Sequence, residues 1–190
     1  HLGKTIGGYS FFDDNFNNIT VDGVDASHWI HTDYTSQVFK RDSHILEINS
    51  KTGLYPLYAA MSLYWQEYQK QKQATADNVS FENKLMIWQR ILRENIFCVA
   101  KTPMARAIDT RTLVGYRDFD TNIEFIDNIV EDAKKNVKTE ADKIKEAFGN
   151  LKFDVVIGNP PYQQEGKGDN ARDEPIYNDF MELSYKLSEL

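Results

Sequence analysis

The chain predicts an α/β protein built on a doubly wound, mainly parallel sheet, and three observations carry that expectation. Short runs of β-branched and other apolar residues recur at 44–48, 96–100, 123–126 and 153–158. Longer stretches with helical spacing separate them, and strands alternating with helices wind a parallel sheet through right-handed crossovers. The last apolar run stops abruptly at Asn159-Pro160-Pro161-Tyr162, just past the carboxyl end of a strand. In open α/β sheets that is where ligands bind.

Each element has its own signal. Residues 1–25 are rich in Gly, Asn and Asp with scattered aromatics, which reads as loop with room for a short hairpin. Residues 26–40 are expected to be helical with Ser27 as cap, so 1–43 forms an N-terminal loop and helix leading into the core. His28 and His31 share one face of that helix but lack a carboxylate or cysteine partner, so no metal site is expected. The strand at 44–48 feeds a turn at 49–53. Residues 54–72 then place Leu57, Tyr58, Met61, Tyr64, Trp65 and Tyr68 at helical spacing, with Pro56 in the first turn.

A second helix spans 80–93 and runs into the strand at 96–100. Residues 103–114 read as helix, 123–126 as a strand ending at Asp127, and the Ala/Lys/Glu-rich stretch 128–148 as one amphipathic helix. After the strand at 153–158, residues 163–174 carry two glycines and mixed charge, the composition of a mobile surface loop. A last helix is expected over 175–187.

Bulk properties bound the class. At 190 residues the chain is one domain with a real core, or a large piece of one. Its 41% apolar and 27% charged content is ordinary for globular proteins. No apolar stretch suits a membrane span and no signal-peptide pattern opens the chain, so no membrane partner is expected. The single cysteine, Cys98, excludes an internal disulfide and a cysteine-based zinc site. Its apolar setting predicts a buried, reduced thiol and a cytoplasmic location. A net charge of −7 works against this chain gripping nucleic acid alone, because phosphate contacts need Lys and Arg. Lys101, Arg106, Arg111 and Arg117 form a local basic group that a solvated helix face explains equally well.

The chemistry sits at 159–162. Prolines at 160 and 161 bar a continued strand or a helix start, so the Asn159 amide and the first carbonyls are held rigidly. A rigid amide, prolyl carbonyls and an aromatic face can hold a planar amino group and stack on the ring that carries it.

The string FDVVIGNPPYQ resembles adenine-specific DNA methyltransferases. ILEINSKTGLYPLYAA beside NPPYQ is similar to Eco57I-like methylase–restriction polypeptides of bacterial restriction–modification systems. The resemblance spans residues 44–187 and implies a Rossmann-like fold dependent on S-adenosylmethionine. Such sheets normally have about seven strands, so 44–190 is expected to be the first half of the domain, a fragment of a longer polypeptide with about four core strands. The implied catalytic residues are Asn159, Pro160, Pro161 and Tyr162. The implied cofactor residues are Glu47, Asn49 and Gly53 after the first strand and Asp127 and Asn128 after the third. An Asp at a strand end is equally a helix cap.

The chain departs from the family pattern at two places. Lys51 stands where a glycine is usual, and Ala100 stands at the position of the carboxylate that binds the ribose hydroxyls. The resemblance further implies double-stranded DNA as partner through segments outside this chain, where a target-recognition domain and a fused nuclease can belong, and leaves open whether a nuclease is attached. Two alternatives stay open: a protein-glutamine methyltransferase, and a methyltransferase fold with a degenerate cofactor site used for DNA recognition or assembly.

Overall fold

Four parallel strands make the sheet: β3 (Ile45–Ser50), β4 (Ile96–Ala100), β5 (Asn122–Phe125) and β6 (Val155–Gly158). The structure, a computed structural model, describes residues 2–12, 29–75, 79–159, 163–164, 174–175 and 177–188. Strand order is β5-β4-β3-β6 and every pairing in this sheet is parallel. The two central strands, β3 and β4, are buried along their whole length, while the edge strands are partly open. Burial on both faces explains why the central strands read as continuous apolar runs and not as alternation.

Successive residues of a strand point to opposite faces, and each face has its own helical cover. Ile45, Cys98, Ala100, Ile123 and Ile157 face α3 (Leu54–Thr75), α4 (Phe81–Glu94) and α5 (Pro103–Val114). Leu46, Ile48, Phe97 and Val99 face α6 (Ile129–Lys135), α7 (Val137–Ala147) and α8 (Tyr177–Ser188). Helix starts follow local chemistry. Ser80 accepts a hydrogen bond from the Asn83 amide at 3.2 Å, and Thr102 accepts one from the Ala105 amide at 3.0 Å, with Pro103 at the first helical position.

Several expectations change. The helix expected over 26–40 shrinks to α2 (Thr35–Val38). Trp29–Ile30 instead forms β2, paired antiparallel with β1 (Gly8–Tyr9), which follows α1 (Leu2–Ile6). Tertiary packing wins over local propensity there. Trp29 packs on Phe39, and β1 is pinned to α3 by the Tyr9 amide donating to Ser62 Oγ at 2.9 Å. Ser27 and His28 lie outside the described residues, and His31 is exposed.

The helix expected over 128–148 is two helices, α6 and α7. Asn136 is extended between them, and its side chain accepts the Thr139 amide to start α7. The segment expected as a free loop at 163–174 has its ends paired, β7 (Gln163–Gln164) against β8 (Glu174–Pro175), antiparallel. Helix α1 stands in a stretch expected as loop, α3 continues to Thr75, three residues past its expected end, and the remaining elements lie within about two residues of their expected bounds. Among the described residues no helix is long and apolar enough to cross a membrane.

Candidate active site

The carboxyl ends of β3 and β6 meet where the sequence places its chemistry. Ile48 pairs with Gly158, and a Cβ added at Gly158 would stand 2.8 Å from the Ile48 carbonyl oxygen. Only glycine lets β6 approach β3 this closely. One residue further on, Asn49 takes a left-handed conformation (φ 63°) and shifts the β3 register against β4. Its side-chain amide then reaches across and donates to the Asn159 carbonyl at 3.4 Å. Asn159 therefore sits directly past the end of β6, exposed, with its backbone tied to the neighbouring strand end. Pro160, Pro161 and Tyr162 lie outside the described residues.

The loop after β3 is braced by α5. The Lys101 amide donates to the Ser50 carbonyl at 2.8 Å, and Thr112 Oγ1 donates to the Thr52 carbonyl at 2.8 Å. Gly53 is buried with φ 70°, and an added Cβ would lie 3.1 Å from Asp109 Cα. The left-handed residues of this segment are thus Asn49 and Gly53. Lys51 pays no such conformational cost, and its side chain is exposed.

Beneath that loop lies a polar cluster. Glu47 and Ser50 of β3 and Asp109 of α5 are all buried, Glu47 at 6% exposure and the other two at zero. Among the described residues Glu47 Oε2, Ser50 Oγ and both Asp109 carboxylate oxygens make no hydrogen bond of good geometry, although the Ser50 hydroxyl lies close enough to act on both carboxyls. Burial pushes the Glu47 carboxyl up to about 7. The Ser50 hydroxyl opposes this, the Asp109 charge adds to it, and Lys51 opposes it. Burial also raises the Asp109 carboxyl, against the effect of Ser50. Buried acids without partners favour their neutral form.

Asp109 was not among the residues singled out from the sequence. The signal was available: Asp109 shares the four-residue spacing of Ala105 and Leu113, both buried on α5, and an acid on a buried stripe calls for an explanation.

The other implied cofactor positions are more open. Asp127 and Asn128 are exposed beyond β5, and Asp127 Oδ1 accepts the Asn128 amide at 2.9 Å. Asn128, left-handed at φ 58°, is the residue that caps α6, and its side chain makes no capping bond. Ala100 closes β4 fully buried against the α3–α5 layer. Among the described residues no group of three or more His, Cys, Asp or Glu is placed to hold a metal.

Two hollows among the described residues bear on the site. One of about 410 Å³ runs along β6 beside α8, lined by Ile48, Ile157, Gly158, Tyr177 and Met181, and it reaches the residue before Asn159. The larger, about 1020 Å³, lies at the amino ends of the strands around His44, Asn95 and Asn122. Ligands of open α/β sheets bind at the carboxyl ends, so the smaller hollow is the one beside the chemistry.

A four-stranded parallel sheet with helices on both faces, and Asn159 just past the carboxyl end of β6, defines part of a Rossmann-like methyltransferase domain. Residues 94–190 match the family described as Eco57I restriction-modification methylase. The chain belongs to that family, and its role is that of a methyltransferase of the restriction–modification type. The matched stretch runs from the end of α4 through β6 and Asn159 to α8, so residues 47–53 fall outside it. No curated protein matches the chain.

Proposed function

We propose that the chain is the catalytic portion of a DNA adenine-N6 methyltransferase from a bacterial restriction–modification system. The observation that carries this reading is Asn159. It is exposed directly past the end of β6, and its backbone carbonyl is bonded to Asn49. In duplex DNA the adenine amine is inaccessible, so the base is flipped into the crevice. Its nitrogen is a poor nucleophile because the lone pair is delocalised into the ring. Asn159 Oδ1 and the Pro160 carbonyl accept its two hydrogens and localise that lone pair, and Tyr162 stacks on the base. Stacking contributes about 1–3 kcal/mol, which partly offsets unstacking. Positioning and fixed dipoles then supply the acceleration.

The methyl donor in this reading is S-adenosylmethionine, which when bound supplies a methyl group activated by its sulfonium. The residues present fit such a ligand. Glu47 Oε2 is buried without a partner, and Asn49 and Gly53 turn the backbone with positive φ beside it. Glu47, Asn49 and Gly53 would hold one end, and Asp127 with Asn128 the other. Target recognition and any nuclease belong to segments outside this chain, and the whole acts on double-stranded DNA in the bacterial cytoplasm.

Calorimetric titration with S-adenosylmethionine, followed by transfer assays on DNA, tests the proposal. Asn159→Ala should abolish transfer while leaving cofactor affinity nearly unchanged, and a parallel loss of affinity would make Asn159 structural. Transfer to a protein acceptor in place of DNA would favour a glutamine methyltransferase. A second reading rests on Ala100, which is buried and offers no carboxylate. If the folded protein takes up no cofactor, the chain is a degenerate domain serving DNA recognition or assembly.

A further inference from the structure

The charge of this chain is unevenly placed. It carries a net −7, yet residues 101–117 hold Lys101, Arg106, Arg111 and Arg117 against a single acid, Asp109. Asp109 is buried and all four cations are exposed, so residues 101–117 themselves present only positive charge to solvent, bordered by Asp118 and Glu124. Arg106 is engaged: its Nε donates to the Ile123 carbonyl and its Nη2 lies 3.4 Å from Glu124. Lys101, Arg111 and Arg117 have no ion-pair partner among the described residues.

Lys51 joins the same ridge at the crevice end, because the Lys101 amide is bonded to the Ser50 carbonyl. At the other end the Arg111 guanidinium lies 4.0 Å from the Tyr116 ring centroid and donates to the Gly115 carbonyl, which holds it in place. Tyr116 itself is 93% exposed. Met104 and Ile108, on the same helical face as Arg111, are exposed too. Asp118 and Asp120 mark where the ridge stops.

We propose that the outer face of α5, from Lys101 beside the crevice to Arg111 and Arg117, binds the phosphate backbone of duplex DNA. This rests on the reading that DNA carries the methyl acceptor, and it places part of the DNA grip within this chain. Cations whose charge is not neutralised by an ion pair can replace counterions on a polyanion. Twelve helical residues rise about 18 Å, the length of roughly five base pairs. Charge complementarity selects the occupant, because few other partners present phosphates at that density.

The test measures binding of a labelled duplex by fluorescence anisotropy across a salt series, without cofactor. The ridge variant combines Lys101→Glu, Arg111→Glu and Arg117→Glu. The control combines Lys40→Glu, Lys138→Glu and Lys152→Glu, an equal change of net charge elsewhere on the surface. The ridge variant should lose about tenfold or more in affinity at low salt, with a salt slope shallower by about three. The control should change severalfold less. Equal losses in both variants, or no binding by the unaltered chain, would overturn the proposal. Should the reversals unfold the protein, as judged by circular dichroism, Arg111→Gln with Arg117→Gln is compared with Lys138→Gln with Lys152→Gln, again an equal change of net charge. Binding through the ridge by a chain that takes up no S-adenosylmethionine would sink the catalytic reading and leave this one. Intact affinity in the ridge variant alongside methyl transfer to DNA would do the reverse.

Discussion

Glu47→Gln should remove a large part of the pH dependence of this protein's stability. The Glu47 carboxyl is held at about 7 against an ordinary 4.5, mainly because burial disfavours its charge. Below pH 4.5 both folded and unfolded chains carry the proton, and the contribution of the site is fully present. Between 4.5 and about 7 the unfolded chain releases a proton that the folded chain keeps, so stability falls as pH rises. Above about 7 the folded carboxyl ionises as well and the loss is complete. The interval corresponds to about 3 kcal/mol. Glutamine has the shape of the protonated acid and does not titrate, and its amide brings donors into the cluster of Ser50 and Asp109.

Urea denaturation at intervals from pH 4.5 to 8 reads the effect. The two proteins should be close in stability at pH 4.5. At pH 8 the variant should be the more stable by up to about 3 kcal/mol, a midpoint shift of very roughly 6–12 °C in a thermal experiment. Glu140 also has a raised carboxyl but remains in the variant and cancels in the comparison. Asp109, also raised, loses the Glu47 charge beside it and ionises more readily in the variant, which adds to the expected gain at pH 8. Parallel stability curves for the two proteins would refute the reasoning. They would mean that the folded Glu47 is already ionised at neutral pH and held by a partner.

Two further substitutions probe the frame around the site. Gly158→Ala drives a Cβ to 2.8 Å from the Ile48 carbonyl oxygen, so it should cost about 1–3 kcal/mol in chemical denaturation and weaken protection of the β6 amides in hydrogen exchange. Asn136→Ala removes the cap of α7, which accepts the Thr139 amide at 3.1 Å, and should cost about 1 kcal/mol with no change in cofactor affinity.

Much of the fold was legible because its signals are local. The apolar runs that become β3, β4, β5 and β6 are dense in β-branched and aliphatic residues. Ser80 and Thr102-Pro103 announce the starts of α4 and α5. The break at Asn136 was legible too, since Asn followed by Thr139 and Glu140 is a helix-start pattern, but the Ala/Lys/Glu composition around it masked the signal. The strand at Trp29–Ile30 was not legible. It exists because Gly8–Tyr9, which lies far off in sequence, pairs with it.

By itself the sequence determined a parallel α/β sheet and set Asn159 just past the apolar run that becomes β6, because β-branched packing acts within a few residues. Only the tertiary structure decided what surrounds that residue. It puts β6 at the sheet edge beside β3 and ties Asn159 to Asn49. It also brings Asp109 of α5 against Glu47 and Ser50 of β3 in a buried cluster. Those contacts join residues remote in the chain, and burial, the property that shifts the Glu47 carboxyl, exists only once the helices have closed over the sheet.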